Sequence, residues 1–113
     1  MKRGDIYYAR LSPSEGSEQK GIRPVVIVSR NAINSASPVV VIIPLTKRAN
    51  VKRDYPNNVT IPKGEGGLNV DSVALGGQVR AISKSRLLQF RGTLSATTMQ
   101  AVDQALRITL DLS

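Results

Sequence analysis

Two runs of branched apolar residues, PVVIV at 24–28 and PVVVIIPL at 38–45, set the strongest limit on how this chain folds. Neither alternates apolar with polar, so each has to be covered on both faces, the mark of a central strand. Branching at Cβ costs rotamer freedom in a helix and suits a pleated sheet. Both runs are far shorter than the roughly 18 apolar residues of a membrane span. A chain with two such strands must surround them, and the flanking segments are read accordingly.

DIYYARL (5–11) is a further strand, with Ile6, Tyr8 and Leu11 expected to face inward. Residues 12–22 form a loop marked by Pro13, Gly16 and Gly21. NAINSASP (31–38) is turn material between the two central runs. The stretch 47–57 has no periodicity and sets Lys47, Arg48, Lys52 and Arg53 against Asp54 alone, which describes an exposed basic loop. NVTIP (58–62) is a strand and KGEGGLN a glycine-rich turn; DSVALGGQVRAI (71–82) makes one or two strands broken at Gly76–Gly77. From Ser95, a suitable N-cap, the period changes: Met99, Val102, Leu106 and Leu110 recur at helical spacing. The expected architecture is mainly β with one terminal α-helix (α+β), a single domain over 1–113 built as a compact sheet or small barrel.

The absence of cysteine and histidine removes whole classes of chemistry. Disulfides, thiolate metal sites, the usual zinc sites, Ser-His-Asp triads and paired-histidine nuclease chemistry all need residues this chain lacks. Lys and Arg total 16 against 8 Asp and Glu, and the resulting net charge of +8 favours an anionic partner such as nucleic acid. Asp5 and the tyrosines interrupt any signal-peptide core in MKRGDIYYARL, so a soluble cytoplasmic protein is expected. Asp5 and Asp71 read as caps or turns, not as a Mg²⁺ pair, and there is no phosphate loop. RGD at Arg3 and NVT at Asn58 are triplets of the length that arises by chance.

The block GSEQKGIRP (16–24) carries Ser17, Glu18, Gln19, Lys20 and Arg23 to the mouth of the core, where a connector needs only turn residues. Taken singly each is an ordinary solvated side chain. In this order, within KRGDIYYARLSPSEGSEQKGIRPVVIVS and followed by IIPLT and LGGQVRAISKSRL, they resemble the MazF/PemK family of toxin endoribonucleases over essentially the whole chain. The resemblance implies a small SH3-like β-barrel with a C-terminal helix, assembled as a homodimer. It also implies metal-independent, cofactor-free, sequence-specific cleavage of single-stranded RNA, chiefly mRNA, and inhibition by a cognate antitoxin.

Carried over by motif, the family's catalytic arginine falls on Arg23 and its threonine on Thr46, at the end of IIPLT. Ser17, Glu18 and Gln19 match the part of the motif that lines the RNA groove, and Gln78 and Arg80 match RNA-contacting positions. Ile82 stands where plasmid-type relatives carry a catalytic aspartate, which favours the Arg23/Thr46 chemistry. In that chemistry the RNA supplies its own 2′-hydroxyl, and the always-charged guanidinium of Arg23 suits the pentacoordinate phosphate. Pro24 biases Arg23 toward extended backbone. Thr46 positions a phosphate oxygen or the 2′-hydroxyl, and Glu18, the one carboxylate of the motif, is expected to accept the proton if screened from water. Lys20 adds phosphate attraction and Tyr55 is a base-stacking candidate.

Two other functions fit the composition. A toxin of related fold directed at a protein such as DNA gyrase would not need Arg23 and Thr46 together. A non-catalytic RNA-binding barrel would bind in a salt-sensitive way without cutting.

Overall fold

The structure, a computed structural model, describes residues 1–12 and 15–113; Pro13, one of the loop signals, lies outside them. Along the chain run β1 (Asp5–Arg10), β2 (Ile22–Ile27), α1 (Asn31–Ala36), β3 (Val39–Lys47), β4 (Asn58–Ile61), β5 (Ser72–Leu75), β6 (Arg80–Ser83), β7 (Leu87–Thr93) and α2 (Ala96–Leu110). The antiparallel strands lie in the order β4-β5-β3-β2-β1-β7, with β6 beside β3. This is the expected α+β arrangement with a C-terminal helix. The path does not close into a ring, so "barrel" describes it only loosely.

β3 is the central element and changes partners along its length. Val39–Ile42 pair with β6, Ile42–Pro44 with β2, and Leu45–Lys47 with β5. Its alternate side chains feed two cores. Ile43 and Leu45 join Ile6, Val26, Ile61 and Val102 beneath α2, while Val40 and Ile42 join Ala9, Leu11, Val25, Ile27 and Ile82 on the opposite side. Ile42, Ile43 and Leu45 are fully buried. At ~1.5–3 kcal/mol for each such side chain, this strand supplies a large part of the driving force for folding.

Other expectations need correction. Ile6 and Leu11 are both buried, but in different cores, because the pleat sends them to opposite faces. Tyr8, on the face of Ile6, is only half-buried. NAINSASP holds the helix α1 instead of a plain turn: buried Asn34 donates Nδ2–H to the Ser29 carbonyl (2.8 Å) and bonds the Ser29 hydroxyl. These side-chain bonds anchor a segment with little apolar periodicity. Residues 71–82 form two strands, split by the 3₁₀ turn Gly76–Gln78. A Cβ on Gly76 would stand 2.2 Å from the Asn57 carbonyl oxygen, so only glycine fits there. β7 has no counterpart in the sequence reading, because as an edge strand it exposes Leu88 and Phe90 and its pairing with β1 is irregular. On α2, Met99, Val102 and Leu106 pack as expected, but Ala105 takes the buried place and Leu110 is exposed.

Asp5 and Asp71 act as turn acceptors, as read. Asp5 accepts from Lys2 N–H and Thr93 Oγ1, and Asp71 from Lys63 N–H. Ser95 caps α2 by accepting from Thr98 N–H. A second cap comes from outside the helix: Glu65 Oε1 accepts from Ser95 N–H at 3.0 Å. Hydrogen bonding to Thr98, followed by that to Ser95, holds the Glu65 carboxyl below its ordinary 4.5 against the opposing effect of burial. A carboxylate with a lowered folded-state pKa contributes stability above the ordinary value and loses it as pH falls through the lowered one. Glu65→Gln is therefore expected to cost about 0.5–1 kcal/mol at neutral pH. In thermal melts carried down through pH 4.5, it should also show a shallower acid decline than the wild type.

Candidate active site

Three depressions adjoin through shared lining residues. The largest, about 610 Å³, is lined by Gln19, Thr46, Asn50–Arg53, Tyr55, Asn57, Asn58, Leu75, Gly77 and Gln78. The second, about 370 Å³, holds Arg23 together with Thr46, Lys47, Tyr8 and Arg91. A third, about 190 Å³, contains Glu18 and Arg80. Thr46 is common to the first two, while Gln19, Gly77 and Gln78 are common to the first and third.

Thr46 and Arg23 line the same depression. The β2–β3 ladder ends where Val25 pairs with Pro44, and Arg23 and Thr46 each lie two residues beyond that end, Thr46 now paired with Val73 of β5. The Arg23 backbone is fixed from the other side by pairing with Ala9 of β1. Its Nε–H donates to the Lys20 carbonyl at 3.0 Å, which leaves the outer nitrogens of the guanidinium for a ligand. Thr46 is almost fully buried, and its Oγ1 accepts from Asn50 Nδ2 at 3.3 Å. With that lone pair occupied, the hydroxyl proton remains to be donated.

Gln78 ties the loop before β2 to the turn between β5 and β6. Gln78 Oε1 accepts from Gln19 N–H at 2.9 Å, and its Nε2–H donates to the Ser17 carbonyl at 3.1 Å. Ser17 and Lys20 thus enter the site through their carbonyls, and neither lines the three depressions. Gln78 is as much a staple for the loop as a contact surface. Arg80 is half-buried in the third depression, and Tyr55 is exposed at the rim of the first.

Glu18 departs from expectation. It is exposed, not screened from water, and its Oε1 accepts from Glu15 N–H at 3.0 Å, so the carboxylate caps its own turn. It lies in the third depression, apart from Arg23 and Thr46. The tyrosines divide by environment. Tyr7 packs edge-on against Phe90 with ring centroids 5.5 Å apart, and burial, then the nearby Asp5, pushes its hydroxyl above the usual 10.0.

Several lining residues were not legible in the sequence. Asn50, Asn57 and Asn58 join Gln19 and Gln78 to give the largest depression five carboxamides, each offering both donors and acceptors. Nothing in the aperiodic 47–58 stretch marks those asparagines; only the chain path does. The basic loop contributes Lys52 and Arg53, and Arg48 is tied down by Asp54 at 3.3 Å. Glu18 is the one acid among the residues lining the three depressions, so the field across them is cationic and favours an anionic ligand. No cluster of three or more metal-ligating side chains occurs among the described residues.

Comparison with known proteins places this geometry. Residues 2–110 match the family described as PemK-like, MazF-like toxin of type II toxin–antitoxin system. An endoribonuclease MazF of Staphylococcus saprophyticus is 45% identical over 112 residues, covering 99% of this chain and 92% of that protein. Among solved structures, MazF from Deinococcus radiodurans superposes with TM-score 0.83 at 28% identity, covering 98% of this chain and 96% of that one. A mycobacterial endoribonuclease solved in complex with its cognate antitoxin gives TM-score 0.82 at 25% identity, covering 100% and 97%.

Removing the staple tests the loop's dependence on it. Gln78→Ala is expected to lower global stability by only about 1 kcal/mol. Amide exchange at Gln19 should nonetheless accelerate well beyond that of the β3 amides, as hydrogen–deuterium exchange would measure.

Proposed function

The chain belongs to the PemK-like, MazF-like toxins of type II toxin–antitoxin systems, which makes it an endoribonuclease toxin, and we propose that it cuts single-stranded RNA where Arg23 meets Thr46. The observation that carries this reading is the shared depression. A permanently charged guanidinium with its outer nitrogens available stands beside a nearly buried hydroxyl whose proton is free to donate.

In this reading the 2′-hydroxyl of the nucleotide before the cut attacks the neighbouring phosphorus. The P–O5′ bond breaks and the departing 5′ oxygen takes a proton from water, leaving a 2′,3′-cyclic phosphate and a 5′-hydroxyl. Arg23 binds the non-bridging oxygens, where negative charge builds in the pentacoordinate state. Thr46 donates to one of the same oxygens, its hydroxyl oriented by Asn50. The reading is metal-independent: the RNA supplies the nucleophile, Arg23 and Thr46 the charge stabilisation, and water the leaving-group proton. The 2′-hydroxyl proton goes to Glu18, the one carboxylate on the groove wall. That role requires Glu18 to give up the Glu15 amide and swing toward Thr46 when RNA is bound.

The five carboxamides and Tyr55 suit unpaired bases, whose edges are read by hydrogen bonds and whose faces stack on aromatic rings. Lys52 and Arg53 draw in the backbone. The same reading gives the toxin a cognate antitoxin and a homodimeric assembly. Exposed Leu88 and Phe90 on β7, with Ile108, Leu110 and Leu112 at the end of α2, support a partner-covered surface. The site of action is the cytoplasm in this reading. No helix among the described residues is long and apolar enough to cross a membrane.

Cleavage of a long RNA in EDTA, with and without substitutions, tests the proposal. Arg23→Ala is expected to slow cutting about 100- to 1000-fold, and Thr46→Ala about 10- to 100-fold, both with the fold retained by circular dichroism. Glu18→Gln should slow cutting. Near-normal rates across neutral pH in that variant would remove Glu18 as the proton acceptor and leave the roles of Arg23 and Thr46 standing.

A further inference from the structure

The two larger depressions share Thr46 as their common wall, and the second is built for a ligand of its own. Its floor is apolar, with Leu45 and Leu68 buried, and its volume of about 370 Å³ lies in the range of small-ligand sites. Arg23, Lys47 and Arg91 line it, and no acid does. Arg91 is held in place from two directions. Its guanidinium carbon sits 5.2 Å from the centroid of the Tyr8 ring, and Nη2–H groups donate to the Gly67 carbonyl at 2.9 Å and to Asn69 Oδ1 at 3.3 Å. Both bonds leave from one nitrogen, so the Nε–Nη1 edge remains for a ligand. The backbone that holds it is closely fitted: Gly67 has φ +75°, and a Cβ there would lie 2.2 Å from the Arg91 carbonyl oxygen.

A fixed, planar cation over an apolar floor, next to the atoms assigned to the phosphate, is the arrangement that receives an unstacked base. We propose that this depression is a nucleobase subsite for the nucleotide on one side of the scissile phosphate, with Arg91 as its stacking and edge-binding platform. The nucleotide on the other side lies in the carboxamide-lined depression. The inference rests on the proposed cleavage at Arg23 and Thr46, and adds a second base-reading position to it. Arg91 and Asn69 then contribute to sequence preference, although neither belongs to the loop motif or to the basic 47–57 stretch.

The test uses a short RNA containing one mapped cut site, and two versions with an abasic ribonucleotide immediately before or immediately after the cut. Cutting of the unmodified RNA by the wild-type protein is the control: if it fails, the cleavage reading itself fails. Given that control, one of the two abasic RNAs should lose roughly 10- to 100-fold in kcat/KM with the wild type, the size of a lost base stack. Arg91→Ala should lose a similar factor on unmodified RNA and nothing further on that same abasic RNA, while the other abasic substitution still costs it in full. Arg91→Lys, which keeps the charge without the plane, should behave like Arg91→Ala. The proposal is overturned if Arg91→Ala cuts unmodified RNA normally. It is equally overturned if its losses multiply with both abasic substitutions, which is the pattern of a general structural defect, or if neither abasic change affects the wild type.

Discussion

Burial of β3 on both faces is the constraint from which the site follows. Val40, Ile42, Ile43 and Leu45 enter two cores in alternation, so the strand cannot slip by one residue without exchanging the contents of both. Fixing that register fixes where the apolar run ends, and the first polar side chain past it is Thr46. At the same point β3 leaves β2 and takes up β5, and the divergence opens the surface into depressions on either side of Thr46. The hydroxyl proposed to act on the phosphate is thus placed by a strand buried on both faces, as precise positioning requires.

What surrounds Thr46 is less rigid in kind. The loop that precedes β2 delivers Glu18 and Gln19 on turn geometry, and Gln78 ties it down with two hydrogen bonds. Each is worth only about 1 kcal/mol net, so loop and strand differ sharply in how firmly they are held. That division suits a nuclease of this family. Arg23, proposed to stabilise charge, is held in β2 by pairing with Ala9 of β1, while the groups proposed to read bases and accept the proton sit on loop segments.

Much of this is legible in the residues, and the reasons for the rest are physical. The central strands announce themselves because burial on two faces requires uninterrupted apolar runs. The helix α2 announces itself by Ser95 and its spacing. β7 does not, because an edge strand exposing Leu88, Gln89 and Phe90 carries no alternation to read. α1 stays hidden because a polar network through Ser29 and Asn34 anchors it in place of an apolar stripe. At the site, Arg23, Thr46, Gln19 and Gln78 were recognisable by motif. Asn50 and Arg91 were not, since their places beside Thr46 and Arg23 arise from proximity created by a turn and by the pairing of β7 with β1. The exposure of Glu18 was likewise beyond the sequence, because burial of a loop carboxylate depends on packing partners far along the chain.

The central claim is that the RNA's own 2′-hydroxyl is the nucleophile, with Arg23 and Thr46 acting on the phosphate. The most direct measurement replaces the single nucleotide before a mapped cut with its 2′-deoxy form and follows that bond in an otherwise all-ribose RNA. The account predicts that this bond alone becomes resistant while the remaining sites are cut normally, and that the fragments of the unmodified RNA end in 2′,3′-cyclic phosphate. Cleavage of the deoxy-substituted bond at an undiminished rate would contradict it, because water or another external nucleophile would then have to be activated by groups other than those assigned here.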